Sequence, residues 1–562
     1  MVDSEELLNF LEKEKTKEQI EKKFDAFKWK RIKKEIKQLQ KKNLVKSYNK
    51  NSTIYYEKKG KELTEKIDEH FFKSTDFNKI FVIAVSILIM VSLLITLNHT
   101  LITNIDEDEV EHLHSAWYVF QGYSPYKDFF EHHPPLLWFL LAPFYLIFGE
   151  TSTALLSAKI FLWFFGAGTV LLTFMFARRL FDEKIAILSS FLVSINYYFV
   201  VAGFSIRPDT PALFFLMAAI YFLQIYKEEQ DFSHLFLCGT LFSVSFLFTT
   251  KTAFFFIIPI LLVYFLERKN KESDAKNQNK KYTVFIVSLL IPALLVAGIG
   301  LHDSFNEFIF LNGTFNFELQ EGLKSGFIEN FDILYNDYIG AVFYSNILFI
   351  FLSLIGFFWM ALKNFKKYFV LLFSIIILIF IYLFFIRMLG HSYVIPFIPF
   401  FSIATVVGLN LIGKELSQIK IPFAKAFPNI ILILFVLFQI FLLPSALSFI
   451  PVGDKIISIN EYVLENSDKN DVVFTFLQPT IVFREDVAYN WFCMECAYKV
   501  FPRLGLYPIG PVFLDDAIAA KPKYIFIPEH RFEQQGKAFV SDPEKYGYKR
   551  TPFKELFELK ED

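Results

Sequence analysis

Apolar runs of about twenty residues recur from Ile80 to Leu447, each long enough for a helix to cross the hydrocarbon core of a bilayer. Lipid offers no partner to a bare backbone amide, so runs of this length must be helices that close their own hydrogen bonds. The chain is 54% hydrophobic and carries 73 Phe in 562 residues. Its mean hydropathy is +0.38. These values exclude an ordinary soluble enzyme. The first apolar run stands well inside the chain, behind a long polar segment, which is not how a cleaved signal peptide is built. A net charge of −1 points to no particular partner, and three cysteines are too few for a disulfide framework.

Length and lack of charge place spans near 80–98, 153–177, 185–203, 211–226, 233–249, 253–266, 282–300, 341–362, 369–386, 392–412 and 428–447, about eleven crossings. One set of connections is basic: Arg178, Arg179 and Lys184; Lys227; the run 268–281; Lys363, Lys366 and Lys367; Lys414, Lys420 and Lys425. The positive-inside rule makes these cytoplasmic, together with the basic amino-terminal region. The alternate set then lies outside: residues 106–135, 207–209, Lys251, 302–338, 387–391 and everything from Pro451. This scheme closes only if 134–148 does not cross. Opened by Pro-Pro and about fifteen residues long, that stretch reads as a re-entrant or interfacial helix. The expected site is a multi-pass protein of a plasma membrane, amino terminus inside and carboxy terminus outside.

Both ends read as soluble. Residues 1–75 have the pattern of a winged helix. Leu7, Leu8 and Leu11 form one helical face, a basic helix follows with Ile32, Ile36 and Leu39 in register, and Leu44-Val45 and Ile54-Tyr55-Tyr56 form a two-stranded wing. Tethering to so many spans weighs against nucleic acid as its partner. Residues 451–562 have α/β texture, with a helix expected over 456–466 and strands at 471–476 and 524–527. Cys493 and Cys496 there are a single C-x-x-C pair, short of a four-ligand zinc site.

The most unusual segment is the loop 99–152. Its stretch 106–135 gathers carboxylates and His112, His114, His132 and His133 directly between apolar runs. Charge that close to hydrocarbon is expensive and marks function at the membrane edge. If 107–121 is helical, Asp108, Glu111 and His112 share a face at i, i+3, i+4. The histidines with their neighbouring acids leave a divalent cation open. Against one, His112 and His114 diverge on a helix and His132-His133 are adjacent. No other cofactor is called for.

The order of an apolar span, Asp108-Glu109, Gly-Tyr-x-Pro-Tyr-x-Asp-Phe-Phe at 122–130, His-Pro-Pro-Leu at 133–136, then Phe-Gly resembles the first external loop of the C-type glycosyltransferase superfamily. It is similar in particular to the branch of protein O-mannosyltransferases and aminoarabinose transferases. Arg207-Pro208-Asp209, Lys251 and His391-Ser392-Tyr393 follow in the family's order. The likeness covers about 80–450 and leaves 1–75 out. It implies a polytopic helical enzyme with juxtamembrane helices in its first loop. Such an enzyme moves a hexosyl or pentosyl unit from a polyprenyl-phosphate donor to a hydroxyl of a protein, lipid or glycan at the outer face.

That chemistry needs a carboxylate to accept the acceptor's proton, cations at the departing phosphate, and a greasy groove for the lipid. The resemblance makes Asp108 the base, with Glu109 as its neighbour in the pair. Lys251, Arg207, His391 and Arg387 are the candidates for the phosphate. Asp209, His133, Tyr126, Asp128 and Tyr393 are the candidates for other substrate contacts. Arg207 and Asp209 could instead pair with each other. The Ser392 between His391 and Tyr393 departs from the family's adjacent pair. A secondary transporter is the rival class, but its site would lie near the bilayer midplane and not at the outer ends of spans. A membrane-tethered regulator would rest on the winged helix alone. The sequon Asn312-Gly-Thr314 falls in an outer loop and could be modified.

Overall fold

The computed structural model describes residues 74–269, 275–322, 340–384, 394–418, 427–449, 452–476, 479–489, 491–492, 500–505, 510–511, 513–531 and 536–560; before residue 74 it describes 15–16, 19–20, 36–37, 40, 45–50 and 53–58. The chain divides into two units, Met1–Phe81 and Val82–Asp562.

In the first unit, strands β1 (Lys15–Thr16), β2 (Val45–Lys50) and β3 (Thr53–Lys58) form an antiparallel sheet in the order β1-β3-β2. Lys50 stands opposite Thr53, so β2 and β3 make a tight hairpin. Ile20 and Ile36, both in helical segments, are buried.

The second unit starts within α1 (Ser74–Ile102), whose Ile83, Ile87, Met90 and Leu94 are exposed in a band that suits lipid and no aqueous surface. Next come α2 (Glu107–Gln121), α3 (Leu136–Phe148), α4 (Ser152–Leu180), α5 (Glu183–Ile195), α6 (Tyr197–Ala202), α7 (Asp209–Glu229) and α8 (Phe232–Phe248). A 3₁₀ stretch, Thr250–Phe256, leads into α9 (Ile257–Lys269), then α10 (Ala275–Leu295), α11 (Gly340–Phe384), α12 (Phe397–Leu416) and α13 (Phe427–Phe449).

Among the described residues six helical stretches are long and apolar enough to cross a membrane: Lys79–Ile102, Ser152–Leu180, Asp209–Glu229, Gln278–Gly300, Leu348–Ile381 and Phe397–Leu416. The protein is therefore polytopic. The spans expected at 341–362 and 369–386 run together as α11, which breaks at Asn364, where the backbone turns extended (φ −161°, ψ 76°). The span expected at 185–203 is two short helices. Asn196 ends α5 and caps α6 by accepting the Tyr198 and Phe199 N–H groups. Every α5 side chain from Ile185 on is buried by protein. The 13-residue α3 is too short to cross, as the re-entrant reading expects.

Close helix packing needs small residues. At the α11–α12 crossing a methyl on Gly356 would meet the Ala404 carbonyl, and one on Gly408 would meet the Leu352 carbonyl.

The carboxy-terminal region opens with α14 (Lys455–Glu465) and builds one sheet from β4 (Val473–Thr475), β5 (Tyr524–Phe526), β6 (Tyr548–Arg550) and β7 (Leu556–Leu559) in the order β4-β5-β7-β6, only β4 and β5 running parallel. It does not stand apart. Ile456, Val482, Phe483, Trp491 and Phe501 share one core with Trp117 and Tyr118 of α2 and Trp138 of α3. Cys493 and Cys496 lie outside the described residues.

Candidate active site at the first loop

The amino terminus of α2 is fixed by a capping box. Asp106 Oδ1 accepts the Glu109 N–H (2.8 Å), and Glu109 Oε2 accepts the Asp106 N–H (3.1 Å). Three acids in its first turn suit the positive end of the helix. Glu109 is 4% exposed. Its other oxygen, Oε1, accepts the Ile206 N–H at 2.9 Å and so ties the loop before α7 to the start of α2. Burial and the Asp106 carboxylate push the Glu109 carboxyl up from its ordinary range, against the pull of Lys159 and the two amides.

That tie sets Arg207 over the exposed acids. Nη2 lies 2.9 Å from Asp106 Oδ2 and Nη1 lies 2.5 Å from Asp108 Oδ2. The Arg207–Asp209 pair weighed from the sequence does not form. Burial works against the guanidinium charge, but Asp106 and Asp108 outweigh it and raise the Arg207 pKa. Asp108 keeps half its side chain exposed (52%), so the carboxylate is held and still reachable. Asp209 instead meets Lys251 (3.4 Å) across the start of α7 and the 3₁₀ stretch. This pair sits at the polar mouth of a groove whose walls are Leu213, Leu216, Phe255, Leu378, Ile381 and Pro396. Arg207-Pro208-Asp209 joins the acid cluster to the groove mouth within two residues, at most about 7 Å of chain.

Beside Asp108, one turn along α2, Glu111 and His112 face inward toward Glu131 and His133. His133 Nδ1 lies 3.1 Å from Glu111 Oε1 and 3.2 Å from Glu131 Oε2. Burial alone would lower the His133 pKa, but the two carboxylates outweigh it and hold the ring charged. Burial and the neighbouring Glu131 push Glu111 up to about 8. Donor atoms of Glu111, His112, Glu131 and His133 all lie within 4.8 Å of one another, so these four could hold a metal ion. His112 and His114 do diverge on the helix. His114 Nδ1 lies 2.6 Å from the Val482 carbonyl, and its buried ring is pushed down to about 4.

Tyr126 and Asp128 are built into the loop. Tyr126 is buried at φ 71° and donates its hydroxyl to the His133 carbonyl, while Asp128 accepts the Ser124 N–H. Arg387, His391 and Tyr393 lie outside the described residues.

Several contributors went unnominated from sequence. Asp106 shares Arg207 with Asp108, and Glu131 faces His133; its place next to His132-His133 was the one available signal. Glu150 accepts from Trp117 Nε1 (3.1 Å) and Gln121 (2.8 Å) and faces Arg484 (3.5 Å). Nothing local to residues 484–486 announces that they close over α2, where Tyr118 accepts the Asp486 N–H at 3.0 Å.

Residues 132–296 match the model of a family described as dolichyl-phosphate-mannose-protein mannosyltransferase. The structure is similar to the oligosaccharyltransferase of Archaeoglobus fulgidus in the apo form (TM-score 0.55, 13% identity, 81% of this chain and 70% of that one). It is also similar to ArnT of Cupriavidus metallidurans in the apo state (TM-score 0.54, 13% identity, 86% and 98%) and bound to undecaprenyl phosphate (TM-score 0.51, 14% identity, 86% and 97%). No curated protein sequence matches. The chain has the fold of a polytopic membrane glycosyltransferase. The mannosyltransferase match is confined to the stretch from the His-His-Pro-Pro turn to α10.

Proposed function

We propose that the chain transfers a sugar from a polyprenyl-phosphate donor to an acceptor hydroxyl at the extracytoplasmic face, with inversion. The observation that carries this is the junction at 207–209, where a reachable carboxylate and a cation-mouthed apolar groove meet. Asp108 accepts the acceptor's proton as the oxygen attacks the anomeric carbon. Arg207 fixes its Oδ2 and sets its direction. Lys251 faces the phosphate, whose negative charge grows as it leaves, and the groove behind it takes the first isoprene units. Asp209 holds Lys251 in place until the phosphate arrives. Undecaprenyl phosphate bound to the Cupriavidus protein of the same fold is in keeping with such a donor.

Positive-inside sidedness puts this site outside and residues 1–75 in the cytoplasm. The antiparallel order β1-β3-β2 with buried Ile20 and Ile36 supports reading that end as a winged-helix-like module. A reporter fused at the carboxy terminus checks the sidedness, and cytoplasmic placement would remove the active-site assignment.

The test of the activity is transfer from labelled polyprenyl-phosphate sugars by lipid-reconstituted protein. Asp108→Asn should abolish transfer while donor binding persists, and Lys251→Ala should weaken donor binding. Full turnover in Asp108→Asn would move the base to another residue. Absence of any turnover by the wild type, across hexosyl and pentosyl donors, would sink the reading.

A further inference from the structure

The four-residue cluster beneath Asp108 sets two buried carboxylates against a single ring nitrogen of His133. Glu111 and Glu131 are both buried, at 6% and 0% exposed, and face the same imidazole. The His133 ring N–H makes its hydrogen bond to Glu131. Glu131 Oε2 is further served by the backbone N–H groups of His132 and His133, and Glu131 Oε1 by the Ser115 hydroxyl. Glu111 Oε1, by contrast, is buried with no hydrogen-bond donor among the described residues, although it points at the same ring nitrogen. A buried carboxylate oxygen that no donor serves is costly to keep in place.

We propose that Glu111, His112, Glu131 and His133 form a binding site for a divalent ion of the zinc class, pinning α2 to the His-His-Pro-Pro turn. The spacing fits. Four ligands at about 2.0–2.1 Å around a tetrahedral ion stand about 3.3 Å apart, and His133 Nδ1 is 3.1 and 3.2 Å from its two carboxylate oxygens. The charge also fits once the ion takes the place of the His133 ring proton, since two carboxylates and two neutral imidazoles balance a dication. Imidazole with carboxylate selects zinc or a similar transition ion over magnesium or calcium, which take oxygen alone. His112 Nδ1 accepts the Trp138 indole N–H at 3.3 Å, a long contact that ligation through this atom would replace. The Ser115 hydroxyl and the turn amides already hold Glu131 in place. The sequence obscured this site because it pairs residues 111 and 112 of a helix with 131 and 133 of a turn, and neither pair alone has chelating spacing.

The experiment is elemental analysis and Zn²⁺ titration of the full chain in detergent, after chelator treatment and reloading. It reads bound metal and not transfer, so it stands or falls separately from the role of Asp108. One ion per chain is expected. Affinity should fall at least about tenfold in Glu111→Gln/Glu131→Gln and in His133→Ala, and should be unchanged in His302→Ala, an exposed histidine elsewhere. Loaded wild type without stoichiometric metal, or metal retained in the double variant, would overturn the proposal. Should the double variant fail to fold, Co²⁺ loading of the wild type decides. Intense visible bands of a four-coordinate ion support the site, and only the weak bands of hydrated cobalt refute it.

Discussion

Glu109 is the acid nearest Asp108 in sequence, and its geometry assigns it to positioning, a role that can be separated from proton transfer. Each of its oxygens serves one backbone amide, Ile206 N–H at 2.9 Å and Asp106 N–H at 3.1 Å. Glu109→Ala removes the return half of the capping box, the acceptor of the Asp106 N–H, worth about 1 kcal/mol, and leaves the buried Ile206 N–H without an acceptor, costing about 1–3 kcal/mol. The expected loss is about 2–4 kcal/mol. Glu109→Gln retains one acceptor oxygen for two amides, so it should lose roughly half as much. In both, the 203–208 loop slackens and Arg207 drifts from Asp106 and Asp108. Transfer should therefore fall in the order wild type, Gln, Ala, in step with the fall in thermal stability in detergent. The paired assays are unfolding followed by intrinsic fluorescence and single-donor transfer in liposomes. If Glu109→Gln keeps wild-type stability and yet loses all transfer, the positioning argument fails and Glu109 itself moves the proton.

Other consequences are as direct. Gly356→Val should destabilise the α11–α12 crossing by about 1–3 kcal/mol or more, seen as a lowered unfolding temperature, because its side chain would meet the Ala404 carbonyl; an unchanged temperature would mean the helices stand farther apart. Asp486, buried where the carboxy-terminal region closes over α2, is pushed up to about 7 by burial, against the pull of its Ala488 and Thr475 hydrogen bonds. The folded state then holds a proton that the unfolded chain has released, so this group makes stability fall as pH rises from about 4 to about 7. Asp486→Asn should flatten that part of the stability profile, and an unaltered slope would contradict the assignment. The Asn312 side-chain amide is buried within a helical turn, so intact-mass measurement of protein from a glycosylating host should show no glycan at this sequon.

The membrane class was open to reading from the chain because apolar length is local: a helix needs no distant partner to be long and greasy. The same holds for α2. Asp106 and Glu109 carry its capping signal three residues apart, and Gly122 ends it in the left-handed conformation (φ 93°). Span counting was less secure where a break is a single backbone event. Asn364 divides α11 and Asn196 divides α5 from α6, while α5, buried from Ile185 on, shows that an apolar run can be covered by protein as well as by lipid.

What the sequence determined alone was which residues bear charge where helices end: Asp108, Arg207, Asp209 and Lys251 were all visible as ions next to apolar runs. Which ion meets which was decided by tertiary structure. Arg207 crosses 101 residues of sequence to reach Asp106 and passes over Asp209 two positions away. His114 meets a carbonyl 368 residues on. The physical reason is that a side chain's partner is set by how helices pack and which amide fixes each loop. The single hydrogen bond from Ile206 to Glu109, invisible in any local pattern, is what turns Arg207 toward the acids and leaves Lys251 to Asp209.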